Sequence, residues 1–109
     1  MTQRYLPGLL LMLLVFLAAA PAWAHKVNIF AYVEKQTVHT ESYFSAGRPV
    51  QKGRILVFDS NREQLLEGQT DAEGRFSFPL PKVDDLTIVI EAGMGHKNSF
   101  RLKKSDLHD

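Results

Sequence analysis

Val27-Asn28-Ile29-Phe30-Ala31-Tyr32-Val33 is the stretch that decides how this chain is read. Val27, Ile29, Ala31 and Val33 alternate with Asn28, Phe30 and Tyr32, and a period of two residues marks a β-strand with one face on a core. No helical period competes with it. Glu34-Lys35-Gln36 then makes a turn, and Thr37 to Phe44 is rich in the β-branched and aromatic residues that strands favour. The two stretches predict a hairpin.

Downstream the same alternation of strand and turn continues. Ser45 to Gly53 holds Gly47, Pro49 and Gly53 among polar residues and reads as a loop. A third strand is predicted from Arg54 to Asp59. Asp59-Ser60-Asn61-Arg62 turns the chain, because short polar side chains bond their own backbone, and a fourth strand runs from about Gln64 to Thr70. Thr70-Asp71-Ala72-Glu73-Gly74 is a tight turn in which Gly74 supplies a positive φ. Arg75 to Leu80 alternates again, with Phe76 and Phe78 on one face, until Pro79 and Pro81 end the ladder for want of an N–H. Leu86 to Glu91 is the most apolar run and predicts a central strand covered on both faces. Gly93-Met94-Gly95-His96 turns the chain into a last strand, Asn98 to Leu102, before a polar tail, Lys103 to Asp109. About seven short strands at regular spacing predict an all-β fold, a small antiparallel β-sandwich.

Upstream lies a segment of another kind. One basic residue, Arg4, precedes an apolar run from Leu9 to Ala20, then Pro21, then Ala22-Trp23-Ala24. Charge, apolar core and a small-x-small site in that order read as a secretory signal peptide over residues 1–24. The apolar run falls short of the roughly 20 residues that span a bilayer, so cleavage is the first reading and an uncleaved N-terminal anchor the second. Cleavage leaves residues 25–109 as a single domain that starts at His25. A domain of that size buries only about 60% of its unfolded surface, and with no cysteine in the chain it has no disulfide to help. Sheet packing must therefore hold it, with a bound metal as a further source of stability.

Composition also excludes several functions. Once Arg4 is removed, the remaining Lys and Arg balance the 12 Asp and Glu, and the charges are interspersed. A nucleic-acid binder would carry a basic patch or stripe. There is no Cys nucleophile, no Gly-x-Ser-x-Gly elbow and no Gly-rich phosphate loop. Asp84 and Asp85 are adjacent, and neighbours in an extended segment point to opposite faces, which reads as a solvated turn rather than an acid/base pair. The chain is read as a non-enzyme with no small-molecule substrate.

From Arg54 to Phe78 the pattern of strand, Asp59-Ser60, strand, then Thr70-Asp71-x-x-Gly74-x-Phe76-x-Phe78 resembles carboxypeptidase regulatory-like, or transthyretin-like, sandwich domains. Joined to His25-Lys26-Val27-Asn28-Ile29-Phe30-Ala31-Tyr32-Val33, Thr40-Glu41-Ser42-Tyr43-Phe44-Ser45 and Ala92-Gly93-Met94-Gly95-His96, it looks like the small periplasmic proteins associated with bacterial nickel and cobalt transporters of the energy-coupling-factor type. The resemblance covers nearly all of residues 25–109. It implies a periplasmic accessory to metal uptake, partnered by membrane subunits of a transporter. Some proteins of such systems carry a C-terminal transmembrane helix, and no such segment follows Leu102 here.

Among the four histidines, His25 stands out on chemical grounds. Cleavage frees its α-amino group beside its own imidazole, and the two nitrogens, with pKa values of about 7.7 to 8.0 and about 6.5, can chelate one metal ion near neutrality. The same residue also reads as a frayed terminus. His96 lies far along the chain, yet in an up-and-down sandwich each turn switches ends. The start of the first strand, the Ser45 to Gly53 loop, the Thr70 to Gly74 turn and the Gly93 to His96 turn should then share one end. His25 and His96 are the predicted metal ligands, with an ordinary hairpin around an exposed His96 as the competing reading. His39 should sit mid-strand opposite Ala31 or Tyr32, and His108 in the tail; neither is assigned as a ligand. Glu41 lies nearer the ligand end of its strand.

Three functions follow: a metal-binding accessory of nickel or cobalt uptake through His25 and His96, a metal-free protein-docking module, and a copper-handling protein using Met94. Nitrogen donors suit Ni(II) and suit Cu(II) still better, so residue types do not choose the metal; a Met thioether points to copper(I).

Overall fold

The structure, a computed structural model, describes residues 26–108. The predicted signal peptide and His25 lie outside the described residues. Seven strands follow in chain order: β1 (Val27–Glu34), β2 (Thr37–Phe44), β3 (Arg54–Phe58), β4 (Gln64–Gln69), β5 (Arg75–Pro79), β6 (Leu86–Glu91) and β7 (Lys97–Leu102). They form two antiparallel sheets, one in the order β1-β2-β5 and the other in the order β4-β3-β6-β7. The all-β sandwich is as predicted.

The alternation in β1 is what assembles the core. Val27, Ile29 and Ala31 are buried, and they join Val38 of β2 and Phe78 of β5 against Ile55, Val57, Leu86, Ile88, Ile90 and Leu102 of the other sheet. Each fully buried aliphatic or aromatic side chain of this kind stabilises by about 1.5–3 kcal/mol, and in a domain without disulfides this layer is the main source of stability. β6 is central in its sheet, as its composition predicts. Only one of its faces is covered, however: Leu86, Ile88 and Ile90 are buried while Thr87, Val89 and Glu91 are half-exposed. A two-layer sandwich has nothing outside the sheet to bury the second face.

Local chemistry sets the turns. β1 and β2 are joined by Lys35 and Gln36 alone, with φ of 51° and 63°, the two left-handed residues that a tight hairpin needs to match strand twist. At Gly74 φ is +77°, and a Cβ there would run into the carbonyl oxygen of Ser42. The Ser42 amide donates to the Gly74 carbonyl at 2.8 Å, so the 70–74 turn is pressed directly on the backbone of β2. The polar tail begins with an ordered turn. A 3-10 turn at Lys104–Asp106 is held by the Lys104 amide donating to Asp85 Oδ1 at 2.7 Å, and Leu107 packs against the core.

Register fixes which loops lie together. Val27 pairs with Phe44, Glu41 with Arg75, Arg54 with both Gln69 and Glu91, and Glu91 with Lys97. One end of the sandwich, the glycine end, therefore carries the start of β1, the 45–53 loop, the 70–74 turn and the 93–96 turn. The opposite end, the carboxylate end, carries residues 34–36, 59–63, 80–85 and 103–107.

Candidate functional site

The grouping of turns expected from strand parity is the one observed. Asn98, the second residue of β7, donates through Nδ2 to the carbonyl oxygen of Val27 at 2.9 Å. That bond ties the first residue of β1 to the segment that leaves the 93–96 turn. The position of His25 itself lies outside the described residues. The chain enters the described domain at Lys26, beside this turn.

The turn is closed by the His96 amide donating to the Gly93 carbonyl at 3.0 Å and the Ala92 amide donating to the His96 carbonyl at 2.8 Å. Its two central residues, Met94 and Gly95, have φ of 54° and 81°. For Gly95 this costs nothing, but for Met94 it is a left-handed conformation held by the surrounding bonds. The result is a Met94 side chain that is 97% exposed. His96 is half-buried, and with Glu91, Gly93, Gly95 and Lys97 it lines an open cleft of about 450 Å³. Glu91 accepts from Arg54 Nη1 at 3.1 Å, and Arg54 Nη2 also donates to Glu67 at 2.9 Å. The Glu67 hydrogen bond and charge, followed by those of Glu91, raise the Arg54 pKa, while Arg54 lowers that of Glu67.

His39 lies mid-strand opposite Tyr32, within the predicted pair of positions. Its ring stacks on Tyr32 with centroids 5.1 Å apart, and Nδ1 is 2.8 Å from Ser77 Oγ. Glu41 is engaged by Arg75 at 3.3 Å, and His108 is exposed in the tail. Among the described residues no three His, Cys, Asp or Glu side chains come together as a metal-binding group.

Two features are not legible in the sequence. The first is the use made of Asp59, Asp84 and Asp85. The Asp59 side chain is only 1% exposed and accepts from the amides of Asn61 and Glu63 at 2.8 and 2.9 Å and from Lys82 Nζ at 2.9 Å. Lys82 is the leading cause of its lowered pKa. Asp84 accepts the Ser60 amide and hydroxyl at 3.0 and 2.8 Å, and Asp85 accepts Arg101 Nη2 at 2.9 Å as well as the Lys104 amide. Backbone donation, from Ser60 to Asp84 and from Lys104 to Asp85, comes first in lowering both pKa values. Adjacent aspartates do point apart, as expected, but each laces a different loop to the 80–85 segment. The second feature is what meets the outer face of the three-stranded sheet: alternation in β1 already puts Phe30 and Tyr32 there, exposed with Tyr43, but does not give their neighbour across the sandwich. Phe30 meets Phe100 edge-on at 5.6 Å, so β7 wraps the open side of β1.

Fold and surface together define the class of protein: a small all-β sandwich that exposes Met94 and several basic side chains on the loops of one end. The chain is 33% identical over 81 residues to an uncharacterized protein of Haemophilus influenzae, a match that takes in 72% of this chain and 50% of that protein. The chain thus spans about half the length of the relative it matches. No family model matches, and no solved structure does. Among the described residues no helix is long and apolar enough to cross a membrane.

Proposed function

We propose that this protein is a periplasmic metal-binding accessory of a nickel or cobalt uptake transporter, and that it takes the metal at the glycine end. The observation that carries the reading is the shared end. The Val27 carbonyl is bonded to Asn98, two residues past His96, which supports a shared end: a chain processed before His25 would carry an amine and an imidazole two residues before Val27. His25 would supply both of those nitrogens and His96 a third. The cleft at His96 is open enough to admit an ion, and nitrogen donors fit Ni(II). The membrane subunits of the transporter are the proposed partners, and the protein itself is proposed to be no enzyme.

Calorimetric titration of the chain beginning at His25 with Ni(II) and Co(II) tests this. Expected is one tight site that weakens at least tenfold when Ala24 is retained, because an acylated residue 25 loses its amine, and again on His96→Ala. Absence of binding with the terminus intact removes the metal reading. Binding of copper(I) that requires Met94 would instead support copper handling, since Met94 is the most exposed large apolar side chain described. A metal-free docking module is favoured by the exposed aromatic face of Phe30, Tyr32 and Tyr43. In that case a transporter pull-down would survive His25→Ala and fail on Tyr32→Ala.

A further inference from the structure

Four basic side chains converge on the glycine end from separate parts of the sequence. Lys26 precedes β1, and its carbonyl accepts from the Ser45 amide at 2.9 Å. Arg48 lies in the next loop, with its guanidinium 5.9 Å from the Phe44 ring centroid and its carbonyl accepting the Phe44 amide. The Lys52 amide donates to the Thr70 carbonyl at 3.1 Å, and Lys97 opens β7 opposite Glu91. All four are exposed, and none is in an ion pair among the described residues.

The acids of this end are bonded but only partly offset in charge: Glu67 and Glu91 share Arg54, Glu41 and Glu73 share Arg75, and Asp71 receives the amides of Glu73 and Arg75, so with the four bases above the end keeps a small basic excess. At the carboxylate end Lys35, Arg62, Lys103 and Lys104 stand among Glu34, Glu63 and Asp106, while Asp59, Asp84 and Asp85 are partly offset by Lys82 and Arg101, so basic and acidic side chains balance there. Met94 stands out of the basic group as an apolar tip, 97% exposed and fixed outward by its left-handed turn. The apolar run Leu9 to Ala20 joins the domain through Lys26.

We propose that the glycine end docks reversibly on an anionic phospholipid surface, with Lys26, Arg48, Lys52 and Lys97 facing the headgroups and Met94 entering among them. Such binding combines buried apolar area with attraction to anionic lipid. It decays within a Debye length of about 10 Å at 0.1 M salt, which makes it weak and salt-sensitive. The surface goes beyond the metal reading and does not depend on it. If both hold, docking turns the His96 cleft toward the membrane, where transporter subunits stand.

Vesicle co-sedimentation of the chain from His25 onward, which contains the whole described sandwich, tests the proposal in the presence of a chelator. Expected is binding to phosphatidylglycerol vesicles at low salt, loss of it at high salt and none to phosphatidylcholine. Lys52→Gln and Lys97→Gln should each weaken binding about fivefold, and Met94→Asp should weaken it further. Lys35→Gln, Lys103→Gln and Lys104→Gln at the other end should leave it unchanged. No binding to phosphatidylglycerol at low salt, equal binding to phosphatidylcholine, or equal loss with both sets of variants would overturn it. Calorimetric nickel binding is unaffected by any of these results, so the two readings fail separately.

Discussion

The two ends of this sandwich differ in which side chains bind their loops together. At the carboxylate end, Asp59, Asp84 and Asp85 each accept from a loop amide and from a basic or hydroxyl side chain of another segment. Three connections and the C-terminal 3-10 turn become one bonded unit. At the glycine end the turns are closed by backbone bonds, by the buried Thr70 hydroxyl, which donates to the Val50 carbonyl and accepts from the Gly53 amide, and by Asp71, which accepts the amides of Glu73 and Arg75, while Met94 and Lys52 are exposed. Even inside, this end is incompletely satisfied: the Ser42 hydroxyl is buried with no hydrogen-bond partner among the described residues. Ion-paired aspartates that join separate segments are concentrated at one end, and glycine turns around an exposed Met94 at the other.

The sharpest way to break this contrast is Asp59→Ala, which leaves Lys82 and two loop amides without their acceptor. This substitution should lower the urea midpoint more than any other single change at either end. Met94→Ala, by contrast, should match wild type within about 0.5 kcal/mol. Gly74→Ala should follow Asp59→Ala, at about 3 kcal/mol, because a left-handed non-glycine residue alone costs about 1–3 kcal/mol and here its Cβ also meets the Ser42 carbonyl. Denaturant unfolding followed by circular dichroism measures all three. The pH dependence sharpens the same comparison. The lowered pKa values of Asp59, Asp84 and Asp85 mean that the folded state binds these protons less readily than the unfolded chain. Their stabilisation is present above the unfolded value of about 3.9 and is lost as pH falls through the folded values. Asp71 and Glu67 at the glycine end contribute with the same sign. Urea midpoints measured from pH 7 to pH 2 should fall in acid, and those of Asp59→Asn should fall less steeply. The smallest effect has the opposite sign: Ser42→Ala removes an unpaired buried hydroxyl and should be neutral or stabilising by up to about 1 kcal/mol.

Much of the architecture was legible because it follows from a short-range period. Alternation in residues 27–33, the β-branched run of 37–44 and the Gly-containing turns each specify local geometry, and the pairing of His39 with Tyr32 follows once the hairpin turn is placed. Strand parity carried the argument further and brought the 93–96 turn to the start of β1. The apolar run of β6 misled about coverage because composition reports burial of the strand as a whole, whereas its two faces meet different surroundings. The order of the polar tail is not a local property, because Asp85 supplies the partner of the Lys104 amide from a distant loop.

The amino-acid sequence by itself determined the strands, the turns and their order along the chain, since periodicity and turn chemistry act over a few residues. Tertiary structure alone decided that Asp59 meets Lys82, that Arg54 bridges Glu67 and Glu91, and that four separate basic residues share an end with Met94. Those contacts join residues far apart in the chain. Their distances come from register and sheet packing, which no local window of sequence contains.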